Sequence, residues 1–349
     1  MNKISLSRRR GAVASRTVRL AAAVMAGSVV LSGCAGGGSG SGSSGDTITV
    51  GLSRTLTYMP GYLADSLGYL DEAAEEIGKT VEIVPFDSSS QSLAALSAGQ
   101  IDMDVQLAQN AARAQVQGQD LTVTAVLNDA GVGGLVVDPS ISEPSELEGK
   151  TVGFTGQATA AYPLLLAALE EDGVDASKVD FLTINDQSTF QSALANGEVD
   201  AILPGEPVLS QTVADADGEV MYDFFDRDFV ERIMGGSYAS VTLMTNAAFA
   251  DADPDGVRAV TQAFEKAVDW MKDHESDPQA VLDELPEDYA SLEPIFPDLY
   301  ARIVQALPQS LAADPAAFET LVQIDEEQGA IDPGTEIDID ALYDNSYLR

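Results

Sequence analysis

The sequence predicts an α/β protein built as two lobes of similar plan. Three observations carry this. Strand-like and helix-like segments alternate through residues 47–127, the same alternation starts over at 151–203, and a near-duplicate segment sits at the same place in each. Leu96-Ser97-Ala98-Gly99-Gln100-Ile101-Asp102 lines up with Leu194-Ala195-Asn196-Gly197-Glu198-Val199-Asp200, 98 residues further on. In each copy a glycine can enter the left-handed conformation that ends a helix, and an apolar residue then opens a strand.

Residues 47–52, 81–86, 101–105 and 121–127 are short β-rich runs, and 62–76, 90–97 and 108–117 are helical between them. Helices joining successive strands imply parallel βαβ units, hence sheets covered on both faces. The second series has strands at 151–154, 179–184 and 199–203, with helices at 159–171 and 190–195.

The last third differs. A strand at 241–245 precedes Asp253-Pro254, an N-cap with proline at the first helical position. Val257, Val260, Phe264, Ala267, Val268 and Met271 then form one apolar stripe. Further helical segments, interrupted by Pro286, Pro294, Pro297 and Pro308, are expected to pack onto an existing lobe.

The N-terminus carries a different signal. The chain has one cysteine, Cys34, which follows Leu31-Ser32-Gly33 and an apolar run over 20–31. Six basic residues and no acidic one precede it. Basic, apolar, small residues and then Cys is the order of a bacterial lipoprotein signal, and a dozen apolar residues are too few to span roughly 30 Å of hydrocarbon. Residues 1–33 are expected to be removed and Cys34 lipidated, which anchors the protein outside the cytoplasm on the cell membrane. Arg8-Arg9-Arg10 also permits twin-arginine export. The Gly/Ser stretch at 35–45 would form a flexible tether of roughly 20 Å mean reach.

Formal charge is −38 over the whole chain. Removing six of the eighteen basic residues leaves 12 − 56 = −44. Nucleic acid needs a basic surface and is excluded, and attraction to anionic lipid is excluded equally, so lipidation must supply the anchor. The charge favours a soluble monomer.

Four stretches together resemble the solute-binding proteins of ABC importers that take nitrate, sulfonates, taurine, bicarbonate and thiamin-pyrimidine precursors. They are Tyr58-Met59-Pro60-Gly61-Tyr62-Leu63-Ala64 with Gly68-Tyr69-Leu70; Leu147-Glu148-Gly149-Lys150-Thr151-Val152-Gly153; Ala193-Leu194 through Asp200-Ala201 with Glu206-Pro207; and Met244-Thr245-Asn246 ahead of Asp253-Pro254. The resemblance spans about 50–345. It implies the two-lobed, type II periplasmic-binding fold with two hinge crossings, placed near 131–135 and 235–240. Lobe 1 would then be 46–132 with 240–349, and lobe 2 would be 133–239, after the signal (1–33) and tether (34–45). It further implies a small organic solute as ligand and an ABC permease with its ATPase as partner, with no cofactor expected; the family also includes pyrimidine synthases that use lysine and histidine chemistry. A receptor that reports solute to a sensor protein shares the fold and stays open.

Ligands of open α/β sheets lie at the carboxyl ends of the strands. On lobe 1 those ends bring Arg54, Thr55, Thr57, Tyr58, Ser88, Gln109 and Asn110 to the cleft; on lobe 2 they bring Gln157, Ala158, Thr159, Tyr162, Asp186 and Glu206. Most are hydroxyls, amides and small residues at helix starts, where free N–H groups accept an anion or polar head group, or where the side chains cap the helix. Arg54, the one cation of these loops, either pairs with a sulfonate or carboxylate or forms a surface salt bridge. Glu206 either holds an amine or caps a turn. Tyr58 and Tyr162 either wall the ligand or pack in the core.

Catalytic patterns are missing. The single histidine, His274, ends the amphipathic helix and is expected to face solvent. Lys79, Lys150 and Lys178 fall outside the cleft loops, and no metal-ligand spacing or phosphate-cradling glycine loop occurs. Few cations among many hydroxyls and amides suit a taurine-like or other sulfonate solute first, a thiamin-pyrimidine precursor second and nitrate third.

Overall fold

The structure is a computed structural model that describes residues 45–157, 159–215 and 218–349. Cys34, the signal segment, the tether up to residue 44 and Ala158 lie outside the described residues. The chain runs from β1 (Thr47–Ser53) through α1 (Met59–Ser66) and α2 (Tyr69–Glu76) to β2 (Thr80–Phe86). Next come α3 (Ser89–Ser97), β3 (Met103–Leu107), α4 (Gln109–Val116) and β4 (Leu121–Asn128). β5 (Gly134–Val137) opens a second series: β6 (Thr151–Phe154), α5 (Ala161–Glu171), β7 (Asp180–Thr183), α6 (Phe190–Ala195), β8 (Ala201–Ile202), α7 (Val208–Ala214), β9 (Glu219–Asp223) and α8 (Arg227–Met234). β10 (Val241–Asn246) precedes α9 (Ala247–Ala252), α10 (Pro254–Asp273), α11 (Pro278–Glu284), α12 (Phe296–Gln305) and α13 (Pro315–Glu327).

Two five-stranded sheets form, ordered β2-β1-β3-β10-β4 and β7-β6-β8-β5-β9. Position by position the orders are the same: second, first, third, incoming and last strand of each series. The sheets are mixed rather than wholly parallel. β10 is antiparallel to β3 and β4, and β5 is antiparallel to β8 and β9. The reason is topological. These two strands enter from the opposite lobe, at the end where the other strands finish, and so run back down the sheet.

The chain passes between the lobes at 129–133 and at 235–240, between β4 and β5 and between α8 and β10. Gly134 and Leu135, expected in the first crossing, already belong to β5. Gly131 N–H donates to the Phe224 carbonyl at 2.7 Å and Phe224 N–H to that of Gly133 at 3.0 Å, so the first crossing lies beside the end of β9.

The duplicated segment has a structural cause. Gly99 and Gly197 both take positive φ, 65° and 69°, and end their helices. Asp102 then accepts the backbone N–H of Thr49 at 2.8 Å, and Asp200 accepts that of Thr151 at 2.9 Å. Each aspartate thus ties the entrance of the third strand to the first strand of its own sheet.

The segment expected as one helix over 62–76 is two, broken where Gly68 takes φ 74°. The stripe of α10 is wholly buried, and it packs with Ile48 and Val50 of β1, Leu243 of β10 and Met59 and Leu63 of α1. Each such side chain contributes roughly 1.5–3 kcal/mol. This burial fixes the C-terminal helices to the first sheet. Among the described residues, no helix is long and apolar enough to cross a membrane.

Candidate functional site

At the carboxyl end of the first sheet, β1 finishes at Ser53, and the Thr55 N–H turns back to its carbonyl at 2.8 Å. The Thr55 and Thr57 hydroxyls lie 3.1 Å apart. Tyr58 is buried, and its hydroxyl lies 3.0 Å from that of Ser89. Burial pushes this phenol up to about 12, so it remains a neutral hydrogen-bonding group at physiological pH. Ser88 caps α3, accepting the Gln91 N–H at 3.4 Å.

Beneath these groups is a buried polar cluster centred on β3. Gln106 Nε2 lies 2.7 Å from Asp104 Oδ2, 2.8 Å from Ser92 Oγ and 2.9 Å from the Ser89 carbonyl. Its Oε1 accepts from Asn110 Nδ2 at 2.9 Å. Asn110 is thereby held by a side chain that is itself held. Asp104 is fully buried and its Oδ1 has no hydrogen-bond partner. Burial raises its carboxyl to about 7, against the opposing bonds from Gln106, Ser92 and the Val105 N–H. Gly51 is required alongside, since a Cβ there would stand 2.7 Å from Asp104 Oδ1.

Ser89, Ser90, Gln106, Gln109 and Asn110 line one end of a cavity of about 600 Å³ that runs between α3 and α4 towards Arg113 and Gln117. With its amide oxygen turned to Arg113, Gln109 accepts from both terminal guanidinium nitrogens at 3.0 Å. Arg113 is otherwise a fork on buried Asp325, with bonds of 2.8 and 2.6 Å. The cavity therefore offers amides and hydroxyls, and its one cation is already matched by a carboxylate.

On the second lobe, the Thr159 hydroxyl donates to the Gly156 carbonyl at 3.0 Å, and Gln157 is exposed beside it. Tyr162 is a core residue, packed against the rings of Phe154 and Phe181 at 5.2 and 5.4 Å. Asp186 caps a short turn by accepting the Ser188 N–H at 3.0 Å, and the Ser188 hydroxyl together with that N–H keeps its carboxyl below the ordinary carboxylate range. Gln187 accepts the Gly205 N–H at 3.1 Å and so joins two strand-end loops. Glu206 has a fully buried side chain that accepts from Ser210 N–H and Oγ at 3.1 and 2.8 Å, with Arg302 at 3.7 Å. Burial raises its carboxyl.

The structure thus brings Tyr58 and Asn110 to one polar floor, through Ser89 and Gln106, while Ser88 is an exposed helix cap beside it. It places Arg54 elsewhere, 3.7 Å from Asp288 on the rim of the first lobe. His274 is half-buried rather than solvent-facing: it stacks on Trp270 at 3.9 Å, because it lies one helical turn further along the same face. Lys79, Lys150 and Lys178 are ion-paired with Asp253, Asp200 and Glu148. Asp104 and Arg302 were missed by the sequence reading. Asp104 had a signal, since Asp102, Asp104 and Gln106 alternate with apolar residues and mark one polar face of a buried strand. Arg302 had none, as its partners lie 79 and 92 residues away.

The sequence pattern of the family described as NMT1/THI5 like matches residues 56–277, more than half of the chain. The chain belongs to that family. A Bacillus subtilis (strain 168) protein named for aliphatic sulfonate binding is 24% identical to this NMT1/THI5-like chain over 332 residues, 92% of each. The taurine-binding periplasmic protein of Escherichia coli K12 is 26% identical over 227 residues, 63% of this chain and 65% of that one. The crystal structure of the periplasmic aliphatic sulphonate binding protein SsuA from Escherichia coli superposes with a TM-score of 0.67 at 19% identity, covering 86% of this chain and 99% of that one. The two-lobed periplasmic-binding fold is therefore this NMT1/THI5-like chain's fold.

Proposed function

We propose that this protein is the extracytoplasmic solute-binding component of an ABC importer, which captures a small sulfonate or taurine-like solute between its lobes and passes it, chemically unchanged, to the permease and its ATPase. The observation that carries this reading is the pair of sheets of like strand order, joined by two crossings at their strand ends, where amides, hydroxyls and helix starts collect. In this reading lobe 1 is 46–132 with 240–349 and lobe 2 is 133–239. The solute meets Thr55, Thr57, Tyr58, Ser88, Gln109 and Asn110 on one side, and Gln157, Ala158, Thr159 and Asp186 on the other. Tyr162 and Glu206 act behind that surface, as packing and as a lobe contact.

A second reading, a neutral or amine-bearing pyrimidine precursor, is favoured by one observation: the arginine of the polar cavity is already paired with Asp325. A thermal-shift panel of taurine, ethanesulfonate, an aminopyrimidine and nitrate separates the two. A bound solute at 100 times its dissociation constant should stabilise by about 2.7 kcal/mol. A shift with the pyrimidine alone would replace the sulfonate reading, and no shift with any solute would reject both.

The same proposal has Cys34 lipidated and residues 34–45 as a tether, with the protein monomeric above the membrane. Cys34→Ser should leave an unprocessed precursor. Normal maturation and lipid labelling of that variant would reject the anchor.

A further inference from the structure

A second cavity, of about 320 Å³, lies on the rim of the first lobe where the turn Glu287–Leu292 folds against the open edge of the sheet at β2. Its walls are Leu52, Ile83, Pro85 and Pro286, with two tyrosine rings, Tyr62 and Tyr289, and it shares no lining residue with the polar cavity between α3 and α4. The two rings meet edge to face, with centroids 5.8 Å apart at 64°. Both hydroxyls are engaged. Tyr62 donates to the Ser53 carbonyl at 2.9 Å, and Tyr289 donates to the Tyr62 oxygen at 3.4 Å. Fixed in this way, the rings present apolar surface to the cavity, which suits another flat ring.

The mouth has a different chemistry. Arg54 and Asp288 stand there 3.7 Å apart, with side chains 66% and 80% exposed. A pair so exposed contributes little, because water competes for both charges. The guanidinium can therefore exchange its carboxylate for another at little cost. Its planar fork matches a carboxylate with two parallel bonds.

We propose that this pocket is a binding site for an aromatic monocarboxylate, its ring between Tyr62, Tyr289 and the two prolines and its acid group on Arg54 in place of Asp288. An inorganic anion would leave the apolar walls wet, a cation would meet the guanidinium, and a neutral ring would forgo the charge-assisted bonds. With Asp288 beside the guanidinium, the mouth suits a single negative charge. The site shares no lining residue with the polar cavity and does not depend on which solute the lobes capture.

The test is calorimetric titration of the full chain with 4-methylbenzoate, alongside acetate (the head alone) and 4-methylbenzamide (the ring alone). The expected result is binding of 4-methylbenzoate at least tenfold tighter than either fragment. Arg54→Ala and Tyr289→Ala should each weaken it about tenfold, Asp288→Asn should strengthen it, and Asn110→Ala should leave it unchanged. Arg54 and Asp288 lie on an exposed rim, so thermal unfolding of their variants should match the parent; Tyr289 is half-buried against Tyr62, so its variant is titrated well below its own unfolding midpoint. No binding of 4-methylbenzoate would overturn the proposal. So would binding that Asn110→Ala abolishes while Arg54→Ala and Tyr289→Ala do not affect it, which would place the ring in the polar cavity instead.

Discussion

Arg302 donates through Nε to Asp223 Oδ2 at 3.1 Å, joining a helix that packs on the first sheet to the last strand of the second. The same guanidinium donates to Ser210 Oγ at 2.8 Å and stands 3.7 Å from Glu206. A second arginine reaches the other way. Arg227, at the start of α8, donates to Asp129 in the first crossing at 2.6 Å and also to the Leu307 carbonyl. Two arginines from opposite lobes thus fasten the region between the lobes.

Removing one of them should be costly, because Glu206 and Asp223 would stay behind with little solvent. Arg302→Met should lower the unfolding free energy by about 3 kcal/mol at pH 7. The loss should shrink at pH 5, since burial already raises both carboxyls and their protonation removes the uncompensated charge. Urea denaturation at the two pH values checks this. A loss below about 1 kcal/mol, or one independent of pH, would mean that the ion pair does not fasten the lobes.

The Asp104 carboxyl, raised to about 7 in the fold, gives a pH dependence of opposite sign to that of an ordinary ion-paired carboxylate. The folded state holds this proton more tightly than the unfolded chain, whose carboxyl titrates near 4. Its contribution to stability is complete below about pH 4 and is lost as pH rises through about 7. Asp104→Asn keeps the shape without the charge. The variant should be more stable than the parent at pH 8 and show a flatter profile between pH 5 and 8 in thermal unfolding. An unchanged slope would place the titration on Glu206, Asp223 or Asp129, whose carboxyls burial also raises.

The paired aspartates test the internal likeness of the lobes. Asp102 accepts from both the N–H and the hydroxyl of Thr49, and it is buried. Asp200 serves the Thr151 N–H and Lys150 and is more open to solvent. Asp102→Ala should destabilise by about 2 kcal/mol and Asp200→Ala by about 1 kcal/mol. Both losses should appear in equilibrium unfolding while solute affinity is retained. A null effect of Asp102→Ala would mean that the motif does not set the strand register.

Much of the architecture was legible because it is written in local chemistry. The glycine stops at Gly99 and Gly197, the Asp253-Pro254 helix start and the stripe on α10 each need only a few consecutive residues. β5 and β9 escaped notice because four or five residues beside a crossing have too little length to show a period. The site was less legible. Ser88 and Asn110 lie beside strand ends, as their place in the sequence predicts, but Tyr162 looked the same in the sequence whether it walled a ligand or met Phe154. Arg54 and Asp288 lie 234 residues apart, and Arg302 meets its partners only through packing of the C-terminal helices. Such pairings leave no local trace.

The central claim is that the lobes close on a solute, and an interlobe distance tests it most directly. Asp87 and Asn185 are exposed at strand ends of the first and second lobes. With Asp87→Cys and Asn185→Cys placed in a Cys34→Ser background and spin-labelled, pulsed electron resonance reads the separation with and without taurine or ethanesulfonate. The expected result is a distance that shortens by several ångströms with a bound sulfonate and returns when the solute is removed. A separation that stays the same while calorimetry shows the solute bound would contradict capture between the lobes.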